Sequence, residues 1–390
     1  VEDCNEGMMG VRINDKWGYV NSRGEEIIPI KYTYDSSMIN DFYDGIAMVE
    51  VENENGIKFG YVNKQGKEII PIKYDDVAPF SEGLACVGLD GKCGYVNKQG
   101  KEVIKIKYGY QLGYSRTADY PMLSDFNEGL ACVQIGNKIG YINKKEEIVI
   151  PAKFDYGTRF KEGRAFVGIG DKYGYINKKG QFVGEMKYDR HYSNPEFYNG
   201  FASVTTNGNF VESWGIINKQ GKEIVPTKYN QSSLGGFTEG FSGMEIGEKW
   251  GYIDENGKLV IPAKYDGVWG FYGGLSAVKI GNKYGYINKK GKMVIPAIYE
   301  SAYSFEGGLA NVKLGDKFGL INKKGEIVIP IKYEDSLWFK YGLAEVKIGN
   351  KFGCINKKGK LIIPIRYDGI VVGEKLIGVK LNDKWGFISR

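Results

Sequence analysis

Short runs in which apolar and polar residues alternate, each closed by glycine, asparagine or proline, fill almost the whole chain. Residues 275–299 show one cycle cleanly: LSAVKI, then Gly281-Asn282, then KYGYIN, then Lys289-Lys290-Gly291, then KMVIPAIY. Period-two alternation rich in Val, Ile and Tyr predicts strands. Gly281-Asn282 predicts a two-residue hairpin, because both residues tolerate the positive φ that its turn types demand. Asn288-Lys289-Lys290-Gly291 suits a type I turn closed by a left-handed glycine. The cycle is therefore a three-strand antiparallel meander, with strands A, B and C. If Ile280 pairs with Lys283, Leu275 and Ala277 share a face with Tyr284 and Tyr286, and Val278, Ile280 and Ile287 take the other. Both faces are apolar, so one meander cannot bury itself and must pack neighbours on both sides.

Three further features belong to the cycle. Gly285 is expected beneath a large neighbour such as Ile295, in close backbone packing. Proline recurs in strand C at Pro29, Pro71, Pro151, Pro226, Pro262, Pro296, Pro330 and Pro364. It cannot donate to a ladder, so pairing is expected to stop there, or C to be an edge. After C comes a linker ending Phe-x-Glu-Gly-Leu-Ala, as in Phe80–Ala85, that starts the next strand A.

The cycle recurs along the chain. Aromatic–glycine pairs stand at Trp17-Gly18, Phe59-Gly60, Tyr173-Gly174, Trp214-Gly215, Trp250-Gly251, Tyr284-Gly285, Phe318-Gly319, Phe352-Gly353 and Trp385-Gly386, and Cys93-Gly94 and Ile139-Gly140 keep the glycine alone. The later glycines lie about 34 residues apart and the earlier intervals carry insertions, which is the signature of a repeat architecture. Tetratricopeptide helices share that period, but turn glycines, a late proline and β-branched runs without 3.6-residue periodicity exclude them.

The recurring phrase F-x-E-G-L-A…K-[W/F/Y]-G-Y-[I/V]-N-K-x-G-x-x-[V/I]-I-P-x-K-Y-D resembles the WG-repeat family, also called KWG repeats, over essentially all of residues 8–390. The resemblance implies a bacterial protein, often associated with the cell envelope or secretion. A secreted or envelope-associated setting is accordingly expected, with the cytoplasm as alternative. Departures from the phrase include Lys105 and Glu185 in place of proline and Cys354 in place of the usual tyrosine. The expected fold is all-β: one array over residues 1–390 of about ten three-stranded units, forming an open, curved or superhelical solenoid. Insertions are expected near 33–42, 109–124 and 189–212. A closed propeller-like ring is the alternative, but eleven hairpins exceed the usual blade number.

Composition adds little beyond this. Of 390 residues, 42% are hydrophobic and 26% charged, so the chain is globular, and 29 tyrosines and 56 glycines reflect the repeat. The net charge of +6 permits an anionic partner without demanding one, since 47 acidic residues are interspersed with 53 basic ones. No apolar run is long enough to span a bilayer as a helix. No cleavable signal peptide is read in the opening VEDCNEG.

Candidate chemistry is sparse. His191 is the sole histidine, which removes two-histidine metal sites and leaves any triad resting on one insertion residue. The five cysteines (Cys4, Cys86, Cys93, Cys132, Cys354) form no C-x-x-C, and Cys86 and Cys132 share one strand-A slot as small apolar residues. No metal and no cofactor is expected. The aromatic–glycine rings are expected in the core. Better ligand candidates are residues outside the motif: Tyr110, Tyr114, Tyr120, His191, Tyr192, Trp269 and Trp338. Lysines at the B–C turns, such as Lys64, Lys144, Lys289, Lys323 and Lys357, are expected to align as a basic ridge. Glu82, Glu128, Glu162 and Glu239 are expected along a different edge. Asp75, Asp155, Asp189, Asp266 and Asp368, after strand C, are read as turn caps.

The expected function is a non-enzymatic binding or scaffold protein that presents an extended surface to a protein or glycan, with nucleic acid not expected. The alternative is binding of an anionic polymer through the lysine ridge. An enzyme with its site in the insertion loops is the third and lesser alternative.

Overall fold

A computed structural model of the protein describes residues 4–21, 23–33, 42–54, 56–109, 125–189, 195–206, 213–229, 236–374 and 376–389. The backbone packs as two compact units, residues 1–223 and 224–390. Among the described residues every regular element is a β-strand, all pairing is antiparallel, and no sheet closes on itself.

The meander forms as its alternation requires. In residues 275–299, strand A (Leu275–Ile280) pairs with strand B (Lys283–Asn288) in the register Ile280↔Lys283, Val278↔Gly285 and Ala277↔Tyr286, and strand C is Met293–Tyr299. The two apolar faces are then buried against different neighbours. Leu275, Ala277, Tyr286, Ile295 and Tyr299 pack against Ala310, Val312 and Ile321 of the next meander. Each B–C turn is capped by its first residue: the Asn288 Oδ1 accepts the N–H groups of Lys290 and Lys292 at 3.0 and 3.1 Å, as Asn63, Asn143 and Asn322 do in their own turns.

Strand C departs from expectation. Pairing does not stop at the proline but resumes beyond it, with Tyr286↔Ile295 and Tyr284↔Tyr299. Between these pairs one residue of B thus faces three of C, and the surplus forms a bulge that includes Pro296. Strand C is also the last strand of its sheet, so the missing proline N–H costs no ladder bond. The bulge presses the C backbone onto strand B, where a Cβ on Gly285 would lie 2.6 Å from the Ile295 carbonyl oxygen. That carbonyl, rather than a side chain, is what the repeated glycine accommodates. The unit with Lys105 in the proline position keeps the same bulge, with Tyr95↔Ile104 and Cys93↔Tyr108. The bulge therefore does not require the proline, although the unit with Glu185 in that position has a larger shift, Tyr173↔Tyr188 to Tyr175↔Val183.

Two elements differ from the expected three-strand units. Several sheets begin with an additional two-residue strand, such as Gly267–Val268 pairing with Lys279 and Val278, donated by the tail of the preceding repeat. Asp76–Val77, Tyr156–Gly157 and Ser301–Ala302 do the same. Secondly, two consecutive units join into one seven-stranded sheet through Gly109↔Gln134, where the glycine leaves room for the glutamine side chain. The Phe-x-Glu-Gly linker is itself a tight hairpin. Glu82 and Gly83 have φ of +51° and +88°, between Ser81 and Leu84, which bridge each other. A glutamate in left-handed backbone costs about 1–2 kcal/mol, so its side chain is expected to return something.

Candidate functional site

The return is a joint between repeats. The Glu82 carboxylate accepts the N–H of Gly129, in the corresponding turn of the next repeat, and pairs with Lys144 of that repeat's B–C turn at 3.0 Å. The Lys144 ammonium also donates to the Glu82 carbonyl at 2.7 Å. Glu128 holds Gly163 and Lys178 in the same way, Glu162 holds Gly200 and Lys219, and Glu239 holds Gly273, Gly274 and Lys289. Glu6 binds Lys64, and Asp44 binds Lys98. Burial works to raise the Glu82 and Glu239 carboxyls. The lysine and the glycine N–H groups outweigh it and hold both below the ordinary value. The expectation that acids and ridge lysines line different edges is thus wrong. They sit on one edge and neutralise each other, because the left-handed glutamate projects its side chain across to the following repeat.

A second joint uses the acid after strand C. The Asp266 carboxylate pairs with Lys249 at 2.5 Å and accepts the N–H of Gly281 in the next A–B hairpin at 2.6 Å. Asp75, Asp155 and Asp368 repeat the arrangement, with Glu300 and Glu334 in the same slot. These acids cap turns, as their position suggested, and they cap the neighbour's turn. Their lysine partners hold the Asp75 and Asp266 carboxyls below the ordinary range.

A third contact is made by the tyrosine after the repeated glycine. Its buried hydroxyl donates to a carbonyl ahead of the next turn: Tyr61 to Ala78, Tyr141 to Thr158, Tyr252 to Trp269 and Tyr286 to Tyr303, at 2.7–2.9 Å.

The pattern lapses once before residue 224, where Asn199 fills the acid slot and Ile216 the tyrosine slot, and within residues 224–390 it breaks repeatedly. The acid slot holds Gly273, Gly307 and Tyr341 in three successive turns, all still with positive φ. Among the described residues Lys323 and Lys357, which follow Glu239's partner Lys289 in the ridge, have no ion pair. Leu320 replaces the tyrosine, and Asn311 makes the missing contact in its stead. The Asn311 Nδ2 donates to the Leu337 carbonyl at 2.7 Å and its Oδ1 accepts the Leu337 N–H at 2.6 Å. The ring that tyrosine would supply is absent, and a pocket of about 200 Å³ opens there. Its lining includes Ser304, Glu306, Gly307, Leu320, Trp338 and Lys357.

Exposed aromatic rings occur at the pocket and elsewhere in this unit. Trp338, 52% exposed, meets Tyr303 edge-to-face with centroids 5.5 Å apart, and its indole N–H donates to Ser336. Trp269, 41% exposed, meets Tyr284 at 5.3 Å. Trp269 and Trp338 are therefore surface rings, as their place outside the motif suggested. Tyr110, Tyr114, Tyr120, His191 and Tyr192 lie outside the described residues. Tyr303 and the Gly307 slot escaped sequence reasoning, although Phe305-Glu306-Gly307-Gly308 shows the acid displaced by one position.

Other chemistry is limited. The Cys354 thiol is buried in the tyrosine slot, and burial pushes it up to about 12, which disfavours the thiolate. Asp125, beside the 110–124 insertion, has its carboxyl pushed by burial up to about 7. Among the described residues its Oδ1 has no hydrogen-bond partner. No cluster of three or more His, Cys, Asp or Glu is placed to hold a metal among the described residues, and no helix there is long and apolar enough to cross a membrane.

A family model described as WG containing repeat matches eleven segments: residues 17–54, 59–93, 94–110, 117–138, 139–173, 173–210, 214–250, 250–284, 284–318, 318–352 and 352–385. No curated relative matches the chain. Among solved structures, a eukaryotic initiation factor is 10% identical over 83% of this chain and 95% of that one, with a TM-score of 0.42. The extracellular domain of a hybrid two-component system from B. thetaiotaomicron is 9% identical over 100% and 70%, with a TM-score of 0.25. The extracellular domain of a one-component system from the same organism is 11% identical over 98% and 69%, with a TM-score of 0.26. Scores this low carry no functional argument.

Proposed function

The chain belongs to the WG containing repeat family, and from that premise we propose that it is a non-enzymatic binding protein that receives a glycan or protein partner on the aromatic surface of residues 224–390. One observation carries the reading: the pocket beside Trp338 forms where the repeat abandons its tyrosine at Leu320 and its acid at Gly307. The repeats that carry Glu82, Glu128, Glu162 and Glu239 keep both groups and use the acid in a joint. Surface tryptophan set against an edge-on tyrosine offers a flat, rigid platform with one polar tip, which suits a sugar ring or an apolar side chain. The reading of an anionic polymer along the whole lysine ridge has less support, because Lys64, Lys98, Lys144, Lys178, Lys219 and Lys289 are already neutralised by acids of the chain. The proposed setting is secretion or the cell envelope, on the family resemblance.

A glycan array and a pull-down with the whole chain test this reading. Trp338→Ala should lose the captured partner while the melting temperature stays within a few degrees. Retention of every partner by Trp338→Ala and Trp269→Ala would overturn it.

A further inference from the structure

The joint at Glu239 describes a carboxylate-binding site complete in every part. Its carboxylate accepts the N–H of Gly274 at 3.0 Å and pairs with the Lys289 ammonium at 3.2 Å. Adding the same 68 residues to Glu239, Gly274 and Lys289 gives Gly307, Gly342 and Lys357. The later joint keeps both donors and lacks the carboxylate. Among the described residues neither the Gly342 N–H nor the Lys357 ammonium has an acceptor. The ammonium instead stands 6.0 Å from the Phe339 ring centroid, at the wall of the pocket that Leu320 leaves open.

We propose that this pocket binds a uronic-acid residue of a glycan. The inference rests on the reading that residues 224–390 bind a partner through their aromatic surface, and it names that partner's chemistry. The sugar carboxylate takes the place of the repeat's own glutamate, between Lys357 and Gly342. Charge-assisted bonds to an ammonium and a backbone N–H are the strong kind. The pyranose ring lies against Leu320 and Trp338, and Glu306 at the rim accepts from its hydroxyls. The same Glu306 carboxylate repels a densely charged phosphate chain, so one carboxylate on a hydroxyl-rich body fits better than a nucleic acid. A peptide adding a strand is disfavoured too. One sheet edge is a bulged strand with proline and the other has two residues, and both blunt strand addition.

Calorimetric titration of the whole chain with an oligogalacturonate, and with its methyl ester, tests the proposal. The acid form is expected to bind, and esterification or Lys357→Met to weaken it by about tenfold or more. Gly307→Glu restores the repeat's carboxylate at φ +56°, close to the +49° of Glu239, with open space around the added Cβ. It is expected to abolish binding without lowering the melting temperature. The proposal is overturned if the wild type binds no oligogalacturonate, if the ester binds equally, or if Gly307→Glu leaves binding unchanged. A polyglutamate peptide or single-stranded DNA that binds more tightly and is lost in Gly307→Glu would also overturn it. Should a neutral glycan or a protein be captured and lost in Trp338→Ala while uronate fails, only the uronate inference falls.

Discussion

Residues 1–223 and 224–390 are built from one phrase and spend it differently. The first unit fills its joint slots with Glu6, Asp44, Glu82, Glu128 and Glu162 and departs only at Asn199, whereas the second has Glu239 and then Gly273, Gly307 and Tyr341. The aromatic–glycine rings lean the same way. Trp17, Phe59 and Trp214 are buried in the first unit and Tyr173 is half-buried there, while Trp250, Tyr284, Phe318 and Phe352 are half-buried and Trp385 is exposed in the second. Lys279, Lys313 and Lys347 lie over three of those half-buried rings. A repeat fold needs its consensus for stacking, so sites with chemistry to spare arise where the consensus is withheld.

The largest effect should separate the two units by core truncation. Phe59→Ala, at a ring 2% exposed, should cost about 3–5 kcal/mol, and Trp250→Ala about 2 kcal/mol, in urea unfolding. Equal costs would erase the contrast in burial. Next comes the buried acid of the first unit. A carboxyl whose folded value is raised to about 7 destabilises the fold as pH climbs from its unfolded value toward 7, because the unfolded chain ionises first. Asp125→Asn should therefore gain about 3 kcal/mol at pH 8 and almost nothing at pH 4, followed by thermal melting at both pH values. An equal gain at both would show that packing, not ionisation, is at work. Smallest is the joint itself. Glu239→Ala should cost about 1 kcal/mol, since the pair is partly exposed and the left-handed strain is common to glutamate and alanine. Gly307→Ala, at a joint without a carboxylate, should cost only the strain that a side chain adds there. If Glu239→Ala costs nothing in urea unfolding, the ion pair contributes nothing.

Most of the meander was legible, because its strands are six or seven residues long and glycine, asparagine and proline mark each turn. The two-residue strands were not, since Gly267–Val268 shows no alternation and gains its partners only from the next hairpin. The joints were illegible for a related reason. Lys178 and Glu128 lie 50 residues apart and Lys144 and Glu82 lie 62 apart, so neither local spacing nor charge pattern links them. The acid itself was visible as a repeated letter, but its left-handed backbone, which turns the side chain toward the next repeat, was not. Trp338 was legible as an aromatic out of register. Its pocket required knowing that the tyrosine ring missing at Leu320 would have filled that space.

The donated two-residue strand sets where the array can be cut. In such sheets the sequence phrase and the folded sheet are out of step, because the sheet opens with the tail of the phrase before it. A cassette excised from one leading turn to the next would carry away the opening strand of a neighbour's sheet and leave its own behind. The segment from Asp266 to Tyr299, by contrast, spans 34 residues and contains its short strand and strands A, B and C entire. Adding or removing whole copies of that segment would leave each copy's ladders complete, so those bounds lengthen or shorten the chain without splitting a sheet.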